Sequence, residues 1–377
     1  MGKLWKMVLV AGARPNFMKV APLIRELRCH PDLFEPRLVH TGQHYDTEMS
    51  EIFFDELGLP QPDRFLGVGS GSHAEQTARI MVEFEKVCVE DRPDLVVVVG
   101  DVNSTMACAI TAKKLGIAVA HVEAGLRSRD WTMPEEINRV VTDAVADLLF
   151  TTSRDADENL LKEGVAAERI HFVGNVMIDC LLALLPRAEG RGTFERFGVE
   201  PGGYATLTLH RPSNVDDPEV LEGIVEVLME VSRGLPIVWP VHPRARKSLE
   251  AFRLAERVER CPGIRLAQPL GYLDMLALSR NARLILTDSG GLQEEATVLR
   301  VPCITLRNNT ERPVTVECGC NRLAGNDPSR IRAAVLAALD SSGSSIGTPE
   351  LWDGRAAERI VDVLKAFEPG DARTAEK

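Results

Sequence analysis

The sequence lacks any apolar run that approaches the roughly 20 residues a membrane-spanning helix needs. Near the N-terminus, the apolar stretch in MGKLWKMVLVAGARP is too short for the h-region of a secretory signal, and it leads into a strand–loop–helix pattern. Most cysteines are scattered singly in apolar segments, which is typical of free thiols in a reducing compartment. Only Cys318 and Cys320 are close, and without a second pair they favour a structural role over a metal site. We therefore expect a cytoplasmic protein.

Positive charge is also scarce, since the formal net charge is −11. This argues against a nucleic-acid binder or an anionic-membrane binder, because both need a positive field. The chain contains no Walker motif, no dinucleotide fingerprint, no nucleophile elbow and no H-E-x-x-H metal spacing. Its chemistry must then come from acids, bases and local positive charge, with no metal.

The sequence does contain short apolar runs that alternate with helical patterns. At 377 residues the chain exceeds the size at which one core stops growing, so two domains are expected. Runs rich in Val, Ile and Leu predict parallel strands covered on both faces, and the intervening helices predict βαβ units. The predicted strands are 7–12, 36–42, 95–101, 118–125, 147–153, 169–175, 204–210, 236–242, 264–269, 283–290 and 302–308. This is an α/β fold with two Rossmann-like, doubly wound domains.

The apolar pattern lapses over 186–203, where Gly, Pro and charged residues collect. This predicts an N-terminal domain over 1–185 and a C-terminal domain over 186–353. The helical stretch 354–368 is expected to pack back on the N-terminal domain. Ligands of open α/β sheets bind beyond the carboxyl ends of the strands, and the polar residues of interest follow predicted strands there.

Two segments are candidate phosphate sites. In GARPNFMK, Arg14 and Lys19 lie beside a helix N-terminus, although a solvated loop is an equal alternative. In LTDSGGLQEEA, Ser289, Gly290 and Gly291 open a helix whose free N–H groups and dipole favour an anion. The alternative for this segment is a capping serine followed by first-turn acids.

One turn into that second helix, Glu294 or Glu295 is placed to accept hydrogen bonds from ribose hydroxyls.

Carboxylates occur where the apolar pattern least needs them. Asp101 follows LVVVVG, Glu123 interrupts AVAHVEAG, and Glu135 and Glu136 follow a proline. An acid that ends an apolar strand is costly unless it is paired, hydrogen-bonded or used. Asp101 could instead cap the next helix, and Glu136 could pair with Arg139 across a turn. We expect Glu135 to be the inward partner.

Histidine and arginine recur together after strands of the second half. His210 lies in TLHRPSN, and His242 and Arg244 lie in PVHPRAR, a pattern that suits a diphosphate pocket. Arg312 lies in NNTERP after a further strand. A single histidine is more often structural, but two beside arginines favour binding, with His210 the better candidate to titrate near neutrality.

Read together, GARPNFMK, GDVNST, HVEAGLRS, MPEEINR, GNVMID, LHRPSN, PVHPR, LTDSGGLQEEA and TERP resemble the non-hydrolysing UDP-N-acetylglucosamine 2-epimerase family. The motifs run in family order over residues 12 to about 325. The resemblance implies the GT-B arrangement with a central cleft, a UDP-sugar substrate, no cofactor and a homodimer. It matches Asp101, Glu123 and Glu135 to the family's catalytic carboxylates and His210 to its catalytic or UDP-stabilising histidine. It also matches nucleotide-binding positions to Arg14, Lys19, Ser289, Gly290, Glu295 and Arg312.

The implied reaction expels UDP from C1 while a base removes the C2 proton, and UDP then adds back to the 2-acetamidoglucal. Two motifs depart from common family forms, at Asn16 in R-P-N and at Pro212-Ser213 in H-R-P-S-N. The loop TGQHYDTEMS resembles that of enzymes acting on a UDP-diacetamido-glucuronate. That substrate is one alternative, and a GT-B glycosyltransferase is another.

Overall fold

The computed structural model describes residues 4–43, 54, 56–340 and 346–367. It divides into two compact units, Met1–Cys180 with Glu350–Lys377, and Leu181–Pro349. The sequence places the boundary at 185/186, where the Gly- and Pro-rich segment begins. In the structure the two units divide after Cys180, inside the apolar helix Val176–Glu189. This helix also continues past 185/186 without a break.

The first unit is built on one parallel sheet. Its strands are β1 (Trp5–Ala11), β2 (Phe34–His40), β3 (Arg64–Phe65), β4 (Leu95–Val99), β5 (Ala118–Ala124), β6 (Leu148–Thr151) and β7 (Ile170–Phe172). Its helices are α1 (Arg14–Arg28), α2 (His73–Asp91), α3 (Asn103–Lys114), α4 (Pro134–Val145), α5 (Arg154–Lys162) and the start of α6 (Val176–Glu189). The strand order is β3-β2-β1-β4-β5-β6-β7.

The second unit repeats this plan. Its strands are β8 (Ala205–Thr208), β9 (Ile237–Pro240), β10 (Ile264–Ala267), β11 (Leu284–Thr287), β12 (Cys303–Thr305) and β13 (Asn321–Leu323). Its helices are α7 (Pro212–Val215), α8 (Pro218–Val231), α9 (Pro243–Ala251), α10 (Ala255–Glu259), α11 (Tyr272–Asn281), α12 (Gly290–Leu299), α13 (Pro313–Glu317) and α14 (Pro328–Asp340). The parallel strands follow the order β10-β9-β8-β11-β12-β13.

Each strand predicted from an apolar run is present, and the α/β prediction is confirmed. Central strands such as β4 are buried along their whole length, because helices cover both faces of a parallel sheet. The sequence did not predict β3 or β13, which are short and carry polar residues. Both are edge strands, where an apolar run is not required.

Both sheets have the Rossmann strand order, which reverses direction at a switch point. The switch point lies between β1 and β4 in the first unit, and between β8 and β11 in the second. Loops that leave these two strands diverge to opposite faces of the sheet, which opens a crevice at their carboxyl ends. Asp101 follows β4 and His210 follows β8, so both predicted residues lie beside a switch point.

The last described helix, α15 (Ala356–Ala366), belongs to the first unit and packs on α1. Asp179 caps it, because the two carboxylate oxygens accept hydrogen bonds from the N–H groups of Ala356 (3.1 Å) and Ala357 (2.7 Å). The Trp352 indole N–H donates to the carbonyl of Thr152 at 2.9 Å. Among the helices of the described ranges, none is long and apolar enough to cross a membrane.

Replacing Asp179 by Ala should lower the free energy of unfolding of the first unit by about 1–2 kcal/mol, because two buried helix N–H groups lose their acceptor. Hydrogen exchange over α15 should accelerate accordingly. Asp362→Ala in the same helix is the matched control, since Asp362 is 71% exposed and pairs with Lys365 at the surface. That variant should change stability by less than about 0.5 kcal/mol. Equal effects of the two substitutions would contradict the capping role.

Candidate active site

Glu123 lies in β5 with a backbone φ of +73°, in the left-handed region. The register between β5 and β6 shifts at this position, so Glu123 forms a bulge. A non-glycine residue held in this region costs on the order of 1–3 kcal/mol and persists only when its surroundings impose it. Such strain concentrates at functional sites, and here it turns a carboxylate out of the regular strand.

The Glu123 side chain is only 1% exposed and pairs with two cations. Lys19 Nζ lies 2.5 Å from its Oε2, and Arg139 Nη2 lies 3.2 Å from its Oε1. The other terminal nitrogen of Arg139 donates to the Glu123 backbone carbonyl. A carboxylate can be buried as an ion only with such compensation, since desolvation costs several kcal/mol. Arg139 therefore binds both the backbone and the side chain of the bulged residue.

The same guanidinium also holds Asp101. Arg139 Nη2 lies 2.5 Å from Asp101 Oδ2, so one nitrogen joins the two predicted carboxylates. The Asp101 side chain is 25% exposed. Its alternative role as a helix cap is wrong, because the N-cap of α3 is Val102 and no side chain caps it. Asp101 is thus the more accessible member of a closely held pair.

Glu135 and Glu136 begin α4 and have different surroundings. Glu135 is half-buried one turn before Arg139, so the two side chains share a helix face. Glu136 is buried and accepts hydrogen bonds from the Ser128 N–H (2.8 Å), the Ser128 hydroxyl (2.9 Å) and the Arg129 N–H (3.0 Å). Glu136 therefore secures the loop before α4, whereas Arg139, its expected partner, pairs with Asp101 and Glu123.

The loops around this cluster are held tightly. Gly100 has a φ of +68°, and a Cβ there would lie 2.8 Å from Lys19 Nζ, so only glycine fits. Asn16 Oδ1 accepts from the N–H of Ala13 at 2.9 Å, and its Nδ2 donates to the Val99 carbonyl at 3.1 Å. Asn16, where the sequence departs from the common family form, thus links the loop after β1 to the end of β4.

A second set of buried charged residues contacts the backbone just after β4. His121 Nδ1 lies 2.6 Å from Asp143, and its Nε2 lies 2.8 Å from the Gly100 carbonyl oxygen. Arg127 also pairs with Asp143 at 2.8 Å. Burial opposes the charge of Asp143, but His121 and Arg127 outweigh it and lower its pKa. His121 therefore has a structural role, because both ring nitrogens are engaged inside the fold.

In the second unit, His210 pairs with Asp288. The imidazole Nδ1 lies 2.8 Å from Asp288 Oδ1, and the His210 side chain is 34% exposed while that of Asp288 is fully buried. Burial alone would raise the pKa of Asp288, but its bonds with His210 and the N–H of Arg211 outweigh it and lower the pKa. One edge of the His210 ring therefore contacts a buried carboxylate, while part of the side chain is exposed to solvent.

His242 lies beside His210, with the ring centroids 5.5 Å apart. Partial burial, followed by the charge of His210, lowers the pKa of His242. Its Nδ1 accepts from the Arg244 N–H at 3.2 Å as the cap of α9. The Arg244 guanidinium forms a two-point pair with Asp216 on the surface. Of this predicted diphosphate set, the structure brings the two histidines together and engages Arg244 elsewhere.

The helix N-terminus at Ser289 has the predicted form. The Ser289 side chain makes no capping bond, so the alternative of a capping serine is wrong for this helix. A Cβ on Gly290 would lie 2.5 Å from Arg312 Nη1, so a larger residue there would require the Arg312 side chain to move. Gly291 follows in the first turn of α12, with the helix dipole directed at this end.

Arg312 belongs to a buried network of charges. Its Nε lies 2.8 Å from Glu294 and its Nη1 lies 2.6 Å from Glu311, which also pairs with Arg307 at 2.9 Å. Burial opposes the charge of Glu311, but Arg312 and Arg307 outweigh it and lower its pKa. The charges of the two arginines and two glutamates cancel, and these contacts hold Arg312 against the start of α12.

Glu295, next in the chain after Glu294, is also buried. Burial raises its pKa to about 8, a hydrogen bond with Tyr272 opposes the rise, and the charge of Glu294 adds to it. Glu295 is therefore predominantly a neutral acid at pH 7, which can donate as well as accept a hydrogen bond.

Arg14 begins α1, but its side chain lies outside the part of the chain that the structure describes. Over the described ranges, no group of three or more His, Cys, Asp or Glu side chains is arranged to hold a metal ion.

A family model for UDP-N-acetylglucosamine 2-epimerase matches residues 25–365. The chain belongs to this family. The UDP-N-acetylglucosamine 2-epimerase of Methanococcus maripaludis is 43% identical, over 96% of this chain and 98% of its own length. The crystal structure of Methanocaldococcus jannaschii UDP-GlcNAc 2-epimerase in complex with UDP-GlcNAc and UDP has a TM-score of 0.88 and 44% identity, covering 96% of this chain and 100% of that one.

The family also includes a relative with a different substrate name. The UDP-2,3-diacetamido-2,3-dideoxy-D-glucuronate 2-epimerase of Pseudomonas aeruginosa is 41% identical, over 95% of this chain and 99% of its own length. The resemblance inferred from the motifs is therefore confirmed, while identity alone separates the two kinds of 2-epimerase by only a small margin.

Two site residues of this 2-epimerase family member were missed by sequence reasoning. Arg139 was considered only as a partner of Glu136, and Asp288 was given no role of its own. An available signal existed for Asp288, a charged residue directly after an apolar strand, whereas Arg139 belongs to a helix whose buried residues are mostly polar. Arg139 lies on the buried face of α4, and Asp288 directly follows LILT.

The raised pKa of Glu295 predicts a specific pH dependence of stability. The unfolded chain releases this proton near the ordinary value of 4.5, whereas the native state keeps it to about pH 8. The stabilising contribution is therefore complete below 4.5 and is lost as the pH rises to about 8, at up to about 1.4 kcal/mol per pH unit. Glu295→Gln should remove this slope, so the variant should gain stability relative to wild type between pH 5 and 8 in urea unfolding.

Glu317→Gln is the matched control, because Glu317 is exposed on α13. Its stability curve should run parallel to that of wild type. A parallel curve for Glu295→Gln as well would contradict the neutral state of Glu295.

Proposed function

We propose that this protein interconverts UDP-N-acetylglucosamine and UDP-N-acetylmannosamine by inverting C2 without releasing free sugar. The observation that carries the proposal is the pair of carboxylates, Asp101 and Glu123, which one guanidinium holds at the carboxyl ends of β4 and β5. Family membership supplies the reaction class, and the paired acids supply the groups that the reaction needs.

The chemistry explains why acids are needed. The C2 hydrogen of the sugar is not acidic, since its only activating neighbour is an acetamido group. Departure of UDP from C1 develops positive charge there, which acidifies C2–H and allows a base to remove the proton. Return of a proton to the opposite face, as UDP adds back, needs a second acid or base. Neighbouring carboxylates in different surroundings can divide these tasks.

We assign the proton transfers to the first unit. Asp101 is the more exposed member of the pair, so we expect it to contact the ligand. Glu123 is buried and pairs with Lys19. Glu135 is the third acid, on the helix face that carries Arg139. The nearby cations keep the cluster close to neutral in total charge, which limits the cost of burying it.

We assign the UDP moiety to the second unit. His210 stabilises the charge that develops on the departing diphosphate, supported by His242, and the N-terminus of α12 at Ser289, Gly290 and Gly291 receives phosphate. Glu295, as a neutral acid, binds ribose hydroxyls. The remaining binding positions in the proposal are Arg14, Lys19, Arg244 and Arg312, of which Arg244 must leave its pair with Asp216 to contact a ligand.

The main alternative is the same reaction on UDP-2,3-diacetamido-glucuronate, which the 41% identical Pseudomonas relative favours. The GT-B glycosyltransferase has no such support, because an acceptor-transfer reaction gives no reason for paired carboxylates at this position. The family resemblance extends the proposal to a homodimer, to the cytoplasm and to the synthesis of a cell-envelope polysaccharide.

Incubation with UDP-N-acetylglucosamine in deuterated water tests the reaction. Deuterium should enter C2, and NMR should show an equilibrium with UDP-N-acetylmannosamine while little free UDP accumulates. Free N-acetylmannosamine would instead indicate hydrolysis. An absence of exchange, followed by exchange with UDP-2,3-diacetamido-glucuronate, would establish the alternative substrate.

Single substitutions test the assigned acids. Asp101→Asn and Glu135→Gln should each reduce C2 exchange by at least about 100-fold, because each removes a group that transfers a proton. His210→Ala should reduce it by a similar factor through loss of charge stabilisation. Glu136→Gln, at the position next to Glu135, is the matched control and should reduce exchange by less than about tenfold, because Glu136 secures a loop.

Circular dichroism should show an unchanged fold in each variant. If Glu136→Gln reduced exchange as strongly as Glu135→Gln, the assignment of Glu135 would fail.

A further inference from the structure

Asp288 is completely buried at the end of β11, and its two oxygens have different partners. Oδ2 accepts three hydrogen bonds, from the N–H of His210 (2.9 Å), the N–H of Arg211 (2.9 Å) and Asn214 Nδ2 (3.1 Å). Oδ1 faces the imidazole Nδ1 of His210 at 2.8 Å, with a longer contact to the His210 N–H at 3.1 Å. The three donors on Oδ2 hold the carboxylate so that Oδ1 is presented to the ring.

This arrangement decides which ring nitrogen carries a proton. An ionised carboxylate only accepts hydrogen bonds, so the short contact requires a proton on Nδ1. The neutral imidazole must then have its lone pair on Nε2, and only Nε2 can gain or lose a proton. Nε2 lies on the edge of the ring away from Asp288, and the side chain is 34% exposed.

We propose that Asp288 is a positioning residue that fixes His210 in the Nδ1–H tautomer and presents Nε2 to the leaving diphosphate. This inference rests on the proposed function, in which His210 acts on UDP. When the ring is cationic, Nε2–H donates a hydrogen bond to the phosphate oxygen on which negative charge develops as the C1–O bond breaks. Asp288 stabilises that cation and prevents the ring from rotating.

The same contacts predict what Asp288→Asn would do. The amide oxygen must take the position of Oδ2, because three donors converge there. The amide NH₂ then takes the position of Oδ1 and donates to Nδ1 of His210. The ring is forced into the Nε2–H tautomer, although the size and shape of the side chain are unchanged.

The experiment uses the full-length protein labelled with ¹⁵N-histidine, and long-range ¹H–¹⁵N NMR at a pH at which the His210 ring is neutral. Wild type should show a protonated Nδ1 and an unprotonated Nε2, and Asp288→Asn should show the reverse. With UDP-N-acetylglucosamine as substrate, Asp288→Asn should lower kcat by at least about 100-fold while KM changes by less than about threefold.

Asn214→Ala is the matched control, because it removes one anchor of the same carboxylate but leaves its charge and its contact with Nδ1. Its tautomer should remain that of wild type, and kcat should fall by less than about tenfold. If Asn214→Ala lowered kcat as much as Asp288→Asn, the effect would come from a loosened loop, and the proposal would be overturned.

Two further results would overturn the proposal. One is an Nε2–H tautomer in wild type, which can be measured even if Asp288→Asn fails to fold. The other is an Asp288→Asn variant that folds and keeps wild-type kcat. A wild-type protein that shows the Nδ1–H tautomer but no C2 exchange would count against the proposed function alone, so the two failures can be told apart.

Discussion

Two carboxylates and two cations share a buried space at the carboxyl ends of β4 and β5, and the arrangement of the first unit's site depends on their pairing. Arg139 contacts the backbone carbonyl of Glu123, its side chain and Asp101. The left-handed backbone at Glu123 is unfavourable in isolation, so it persists only while these contacts and Lys19 hold it. Arg139, a residue of α4, thus supplies the positive charge that stabilises the bulged conformation of Glu123 in β5.

The second unit also buries charged side chains, and there they are compensated by a network of four residues. Arg307, Glu311, Arg312 and Glu294 alternate in sign within a buried network beside the start of α12. Burial raises the pKa of Glu295 to about 8, and the charge of Glu294 adds to the rise, so Glu295 is largely protonated at neutral pH. Two adjacent glutamates therefore have different surroundings, since Glu294 pairs with Arg312 whereas burial raises the pKa of Glu295.

Both sites lie at the switch point of a Rossmann-type sheet, and this follows from the strand order. The apolar runs were sufficient to predict the strands, and the polar residues directly after them predicted where to look for a candidate site. Prediction was weaker for residues whose partners come from distant parts of the chain. Arg139 was assigned to the neighbouring Glu136, whereas it pairs with Asp101, which lies far away in sequence but in contact with it in the fold.

The sequence by itself determined the α/β class, the central strands and the family, because each depends on local pattern or on motifs in fixed order, and it predicted the candidate acids. Only the tertiary structure decided the state and orientation of those groups. The bulge at Glu123, the protonation of Glu295 and the carboxylate behind His210 each depend on charges that folding brings together from separate strands and helices. Such energies depend on distance and burial in three dimensions, and spacing along the chain does not specify either one.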